Sequence, residues 1–276
     1  MNAMTDMSYR LAAAALTAWQ RNARSVLQWA HPSWLACALG IDEAAAVALA
    51  RAMAGQRGAD TPVYPAADAG ADAAIRLRAC LDACSLALLR CVGLPLPDLQ
   101  AAAGPGALCV DALPPEAGLR VLRIRALRFR RGEIRRIVDK RMRARVAEWS
   151  GLPLDRLIVE QPGKRQAMPD IEQMAARTPI PPVTAIDGAT LALEGHALIR
   201  RDLGNAHSPC PLLRLALPVD ADDAAGYRPA SRHAALASGS PHRWVDRIPA
   251  DLDRHGTDAL FAELPHLLPE YAWLSG

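Results

Sequence analysis

Between Arg120 and Arg145 the chain sets twelve basic residues against only Glu133 and Asp139, inside a run whose apolar residues keep a helical period. No other feature constrains the chain more, because it joins concentrated positive charge to an amphipathic pattern. Ile134, Ile137, Val138, Met142, Val146 and Trp149 recur at spacings of three and four, which predicts a helix with these residues on one face. Arg135, Arg136, Arg141, Arg143 and Arg145 fall around the rest of its surface. Upstream, Leu122, Ile124, Leu127 and Phe129 alternate with Arg123, Arg125, Arg128 and Arg130, which fits a strand or a helix. The stripe Leu119, Leu122, Ala126, Phe129 and the lack of a turn signal before Gly132 favour helix. Gly132 is a candidate kink, at about 1 kcal/mol relative to Ala.

The local charge is +10, so the remaining residues must sum to −7 against the formal total of +3. A molecule this asymmetric is expected to make oriented contact with an acidic partner, and a protein surface, nucleic acid and anionic lipid all qualify. The plainer reading is a solvated, arginine-rich face of a core helix. Lysine occurs only at Lys140 and Lys164, and arginine is enriched together with alanine. That pairing has a compositional explanation and is not by itself phosphate recognition.

At 276 residues there is enough chain for a substantial core, in one body or two. Alanine and leucine dominate while aromatics make up 4%, so helix is favoured over strand. The expected fold is mainly α, an irregular helical domain with proline-rich connections and at most a short strand or two in the C-terminal half. The N-terminal residues lack the basic, apolar and cleavage regions of a secretory signal. No run of about 18 uncharged apolar residues suggests a membrane span. A soluble cytoplasmic protein is expected, with Cys37, Cys80, Cys84, Cys91, Cys109 and Cys210 reduced and mostly buried.

Helices are predicted from Met7 to about Gln28, in a short element from Ser33 to Gly40, from Glu43 to Ala54 behind an Asp42 cap, and from Ala71 to Val92. Gln56 to Gly70 reads as a loop, and Leu94 to Gly118 as a connection with one turn near Leu99. After the arginine-rich stretch, Pro153, Pro162, Pro169, Pro179, Pro181 and Pro182 punctuate the chain, leaving room for a short helix from Asp170 to Arg177. Asp187 caps a helix from Gly188 to Leu203. Leu212 to Leu217 is too short to assign and has strand as one reading. Val219 to Pro241 reads as loop, with helical segments around Trp244 to Ile248 and Thr257 to Leu268. The organisation expected is a helical block over 1–150, a connection over 151–185 and a mainly helical block over 186–276, or all three as one body.

Catalytic signatures are absent: the chain has no Walker loop, dinucleotide fingerprint or nucleophile elbow. Cys80 and Cys84 share a helical face, but without a second ligand pair a buried face outweighs a thiolate metal site. His207 and Cys210 form a nominal dyad between Pro209 and Pro211, equally consistent with a structured loop. No cofactor is called for. In the closing segment, Tyr271, Trp273 and Leu274 are expected to dock on the domain more readily than to bind a partner.

Three segments carry a family resemblance: His31-Pro32-Ser33-Trp34-Leu35, the run ALRFRRGEIRRIVDKRMRAR from Ala126 to Arg145, and Leu268-Pro269-Glu270-Tyr271-Ala272-Trp273-Leu274. Together they resemble the SctK family of bacterial type III secretion accessory proteins, its Hrp-type branch included. The resemblance implies a non-enzymatic cytoplasmic component of the injectisome sorting platform, at the cytoplasmic face of the inner membrane when assembled. It implies contact with an SctD-like inner-membrane ring protein and an SctQ-like pod protein, and through the latter with a stator and the secretion ATPase. Charge and expected exposure then nominate Arg130, Arg131, Arg135 and Arg136 as protein-binding residues. The competing class is a nucleic-acid-binding regulator using the arginine-rich helix on phosphates, with an enzyme of dispersed site behind it. Against the regulator, no stacking aromatics interleave the arginines.

Overall fold

In the computed structural model the described residues are 3–55, 67–94, 96–97, 107–158, 180–204, 209–219, 245, 248, 252–253 and 255–275. They are mainly α-helical, and no strand occurs among them. Helices α1 (Ala3–Arg24), α2 (Pro32–Leu39), α3 (Glu43–Gly55) and α4 (Ala67–Cys91) come first. The short α5 (Ala107–Ala112) leads into α6 (Pro115–Phe129), α7 (Arg131–Ile134), α8 (Lys140–Ser150) and α9 (Leu154–Ile158). Beyond them lie α10 (Gly188–Leu203), α11 (Pro211–Arg214) and α12 (Gly256–Leu267), with 3₁₀ turns over Val26–Gln28, Val183–Ala185 and Pro269–Ser275.

Local chemistry explains most of these boundaries. His31 accepts a hydrogen bond from the Ser33 amide at the start of α2, Pro32 occupies its first turn, and Gly40 closes it at φ 65°. Asp42 Oδ1 accepts from Ala45 N, and Asp187 Oδ1 from Thr190 N, so both aspartates act as the caps their positions predict.

The arginine-rich run departs from the single stretch its periodicity suggests. It is three helices, broken first at Arg130 and again over residues 135–139, and Gly132 lies inside α7 instead of at the kink. The second break belongs to Asp139, whose carboxylate accepts from Arg141 N and Met142 N and starts α8 afresh. Three further expectations are corrected. The proline-rich connection before Gly118 is partly helical, because Pro115 sits at the first turn of α6, where its missing N–H is no loss. Leu212 to Leu217 is no strand but α11 and the turns that continue it. Residues 67–70 of the predicted loop already belong to α4. The turn near Leu99, the helix over 170–177, the loop after Val219 and most of the 244–248 segment lie outside the described residues.

Packing centres on α6. Val121, Leu122, Ile124, Ala126 and Leu127 are buried against Leu191, Ala192 and Ile199 of α10 and Leu260, Phe261 and Leu264 of α12. The helices α6 and α10 approach so closely that a Cβ on Gly195 would overlap the Leu122 carbonyl. A second cluster joins Trp19, Val26, Trp34, Leu35, Ala46, Leu88 and Leu89 of the first four helices and the turn after α1 to Leu212 and Leu215. The His31–Leu35 segment clasps that later strand of chain. His31 N donates to Leu215 O at 2.7 Å, Trp34 Nε1 to Leu217 O at 2.9 Å, and Ser33 Oγ accepts from Val219 N at 2.9 Å. Burial holds the His31 imidazole below its ordinary pKa, which suits its acceptor role. In the closing segment, Leu268 is buried and Tyr271 packs on the main cluster, whereas Trp273 is 40% exposed and does not dock as predicted.

Candidate functional site

Three of the four arginines of α6 are engaged by partners within the protein. Arg125, 0% exposed, donates from Nε to Thr257 Oγ1 (3.0 Å), from Nη1 to Asp253 Oδ2 (2.7 Å) and from Nη2 to Asp202 Oδ2 (2.7 Å). Arg128 pairs with Glu263 of α12. Arg123 reaches Gly188 O (3.1 Å) and Glu116 (3.0 Å). All three tie α6 to other parts of the chain or to its own first turn.

Arg130 is also buried, which corrects its nomination as an exposed binding residue. Its Nε and Nη2 grip the two Glu194 oxygens at 2.6 and 2.8 Å, while Nη1 donates to Glu133 (2.8 Å) and to Pro181 O (2.9 Å). Glu133 in turn accepts from Val183 N, so one guanidinium braces α6, α7, α10 and the 3₁₀ turn. Burial pulls on both members of the pair. It lifts Glu194 above the ordinary carboxylate range, while at Arg130 it is outweighed by Glu194 and Glu133, which raise the guanidinium further into its charged range. The bidentate geometry decides for the ionised pair.

Exposure begins beyond α7. Arg131 is half-buried, whereas Arg135 and Arg136 are exposed, with Arg135 Nη2 donating to Ile158 O at 3.3 Å. Lys140, Arg141, Arg143 and Arg145 are exposed along α8. Arg143 lies 3.9 Å from Asp155, a pair that solvent weakens, and Arg145 lies over the Trp149 ring at 6.0 Å from its centroid. These six cations form a ridge whose nearest acidic residues in sequence are Glu133, engaged by Arg130, Asp139, engaged as a cap, and Glu148. Of the four nominated residues, the structure brings Arg135 and Arg136 to this ridge, holds Arg131 at its edge and withdraws Arg130. Sequence reasoning missed Lys140, Arg141, Arg143 and Arg145 as members of the site. The signal that separates the two groups is Glu194, a carboxylate in the apolar face of α10 that needs a buried cation.

Residues 7–270 match the model of the HrpB4 family, described as a bacterial type III secretion protein. The chain belongs to this family. No curated protein and no solved structure matches it.

The match agrees with the resemblance to type III secretion accessory proteins read from the sequence, and it covers the first two segments that carried that resemblance and the third as far as Glu270. Two of those segments have a structural role in this type III secretion protein. The His31–Leu35 segment clasps the chain after α11, and Arg128 and Arg130 cross-brace the core. Among the described residues no other candidate chemistry is assembled. Among the described residues no group of three His, Cys, Asp or Glu side chains is placed to hold a metal ion. Cys80 and Cys84 are exposed. His207 lies outside the described residues, and burial drives the Cys210 thiol far above the range of a reactive thiolate. No single described helix is long and apolar enough to cross a membrane.

Proposed function

We propose that this protein is a non-enzymatic scaffold of the type III secretion sorting platform, linking the inner-membrane ring to the pod and, through a stator, to the ATPase. In this reading it works in the cytoplasm at the inner-membrane face. The observation that carries the reading is the exposed basic ridge from Arg135 to Arg145, standing on a body that family membership assigns to type III secretion. Buried ion pairs and a close α6–α10 crossing favour a rigid spacer, which is what a bridge between two neighbours requires. Contact through the ridge calls for an acidic neighbour.

The test is recovery of tagged protein from its native bacterium, after nuclease treatment, at moderate and high salt, with mass spectrometry of what stays bound. Ring and pod proteins of a secretion apparatus are expected at moderate salt. Their absence, with nuclease-sensitive nucleic acid dominating the untreated control, overturns the scaffold and puts the nucleic-acid-binding regulator in its place.

A further inference from the structure

The charge on the ridge works against the helix that bears it. Lys140 and Arg141 occupy the first turn of α8, where the helix dipole favours acidic residues, and that turn contains none. Only the Asp139 cap offsets them. A placement that costs helix stability points to a use outside the fold.

A second oddity adjoins it. A residue just before an N-cap commonly packs on the fourth helical residue, forming a hydrophobic staple. Before Asp139 stands Val138, but the fourth residue of α8 is Arg143, and Val138 is left 87% exposed. Ile137 beside it packs on the core, so the main chain is anchored here and Val138 is held outward. The ridge therefore carries an apolar knob between Arg135 and Arg136 on one side and Lys140 and Arg141 on the other.

From this juxtaposition we infer that the ridge is the docking surface for an acidic segment of a partner protein, whose carboxylates meet Arg135, Arg136, Lys140, Arg141 and Arg145 and whose apolar side chain covers Val138. Charge complementarity fixes the sign of the partner. The knob argues against a nucleic acid, because a phosphate backbone has no apolar group to offer there, and the exposed Glu148 farther along the same helix repels a phosphate track. The inference rests on the ridge as a contact surface and deepens the scaffold reading by naming what it contacts.

The experiment uses the purified full chain and three probes: a synthetic helical peptide with glutamates bracketing one leucine, a short DNA duplex, and vesicles containing phosphatidylglycerol. The peptide is expected to bind most tightly, with affinity reduced about tenfold or more by Arg141→Glu with Arg145→Glu. Val138→Ser is expected to weaken the peptide several-fold, by loss of one small apolar contact, with an unchanged salt slope. Both variants change exposed side chains, and unaltered helicity and melting confirm that they fold. Tighter binding of duplex or vesicles, insensitive to Val138→Ser, overturns the inference in favour of a phosphate ligand. Failure of the peptide while ring and pod proteins are still recovered from the bacterium sinks this inference and leaves the scaffold standing. Peptide binding without their recovery does the reverse.

Discussion

Arg130 and Arg141 stand eleven residues apart in one basic run, yet the first is sealed in the core and the second faces water. The difference lies in what surrounds each. The α6 helix is buried on nearly every side, so the guanidinium groups of Arg125 and Arg128, and of Arg130 at its end, must find carboxylates inside the protein, and Asp202, Asp253, Glu263 and Glu194 supply them. The α8 helix buries only Met142, Val146 and Ser150, and its cations need nothing from the fold. Charge density in a sequence is therefore no measure of surface potential. Four carboxylates from outside the run neutralise its first half internally, and its exposed cations lie on the ridge.

The sharpest break in this comparison comes from removing one member of the Arg130–Glu194 pair. Glu194→Ala takes the bidentate carboxylate from a buried guanidinium, and about 3–5 kcal/mol of stability is expected to go, measured by urea denaturation. Replacing both members, as Arg130→Met with Glu194→Leu, is expected to recover a large part of that loss, since the desolvation cost vanishes with the charges. A double variant as unstable as the single one shows that the pair is needed for its geometry and not merely tolerated.

A smaller effect comes from a carboxylate that the interior does not neutralise with a cation. Asp111 accepts from Leu212 N at 3.1 Å and Leu213 N at 2.8 Å, capping α11 from a distant part of the chain, and burial raises its pKa to about 7. An unfolded aspartate titrates near 4, so in the folded protein the extra proton stabilises below about pH 4 and that contribution is lost as pH rises to about 7, on the order of 3 kcal/mol. His31 has the opposite sign: its lowered pKa gives stability present above about pH 6.5 and lost as pH falls through the folded value. Asp111→Asn keeps an acceptor oxygen and removes the titration. Urea midpoints from pH 4 to 7 are expected to fall less with rising pH in the variant than in the wild type. Parallel profiles would show that the two backbone amides hold Asp111 ionised throughout.

What was legible in the sequence follows from the range of the interactions. The bounds of α2, α3 and α10 rest on His31-Pro32, Gly40, Asp42 and Asp187, all within a few residues of the turns they set, and pattern reading finds them. Family and helical class were legible too, from short segments and from composition. The break before α8 was within reach, because Asp139 followed by a helical run is a cap signal, but the continuous apolar spacing concealed it. The split of the arginines was not local. Arg125 is satisfied by residues 77, 128 and 132 positions away, and nothing near it in the chain distinguishes it from Arg141. Pro115 misled because one residue type both ends and starts helices.

The smallest effect on stability is expected where the charge is most conspicuous. Reversing Arg135, Arg136, Arg141 and Arg143 to glutamate removes exposed cations and, among the contacts of the described residues, a weak pair with Asp155 and a hydrogen bond to Ile158 O. Each such surface change is worth no more than about 0.5 kcal/mol, and acidic residues in the first turns of α8 favour the helix dipole, so the sum should lie near zero. Recruitment to the secretion apparatus should nevertheless be lost, read as loss of co-purification from the native bacterium at moderate salt. Glu194→Ala is the contrast, since one substitution there is expected to cost several kcal/mol while four reversals here are expected to leave the protein folded but not recruited. If the fourfold variant is folded and still recruited, the ridge is only a solvated face. If it is itself unstable by several kcal/mol, the division between interior and exterior arginines drawn at α7 is misplaced.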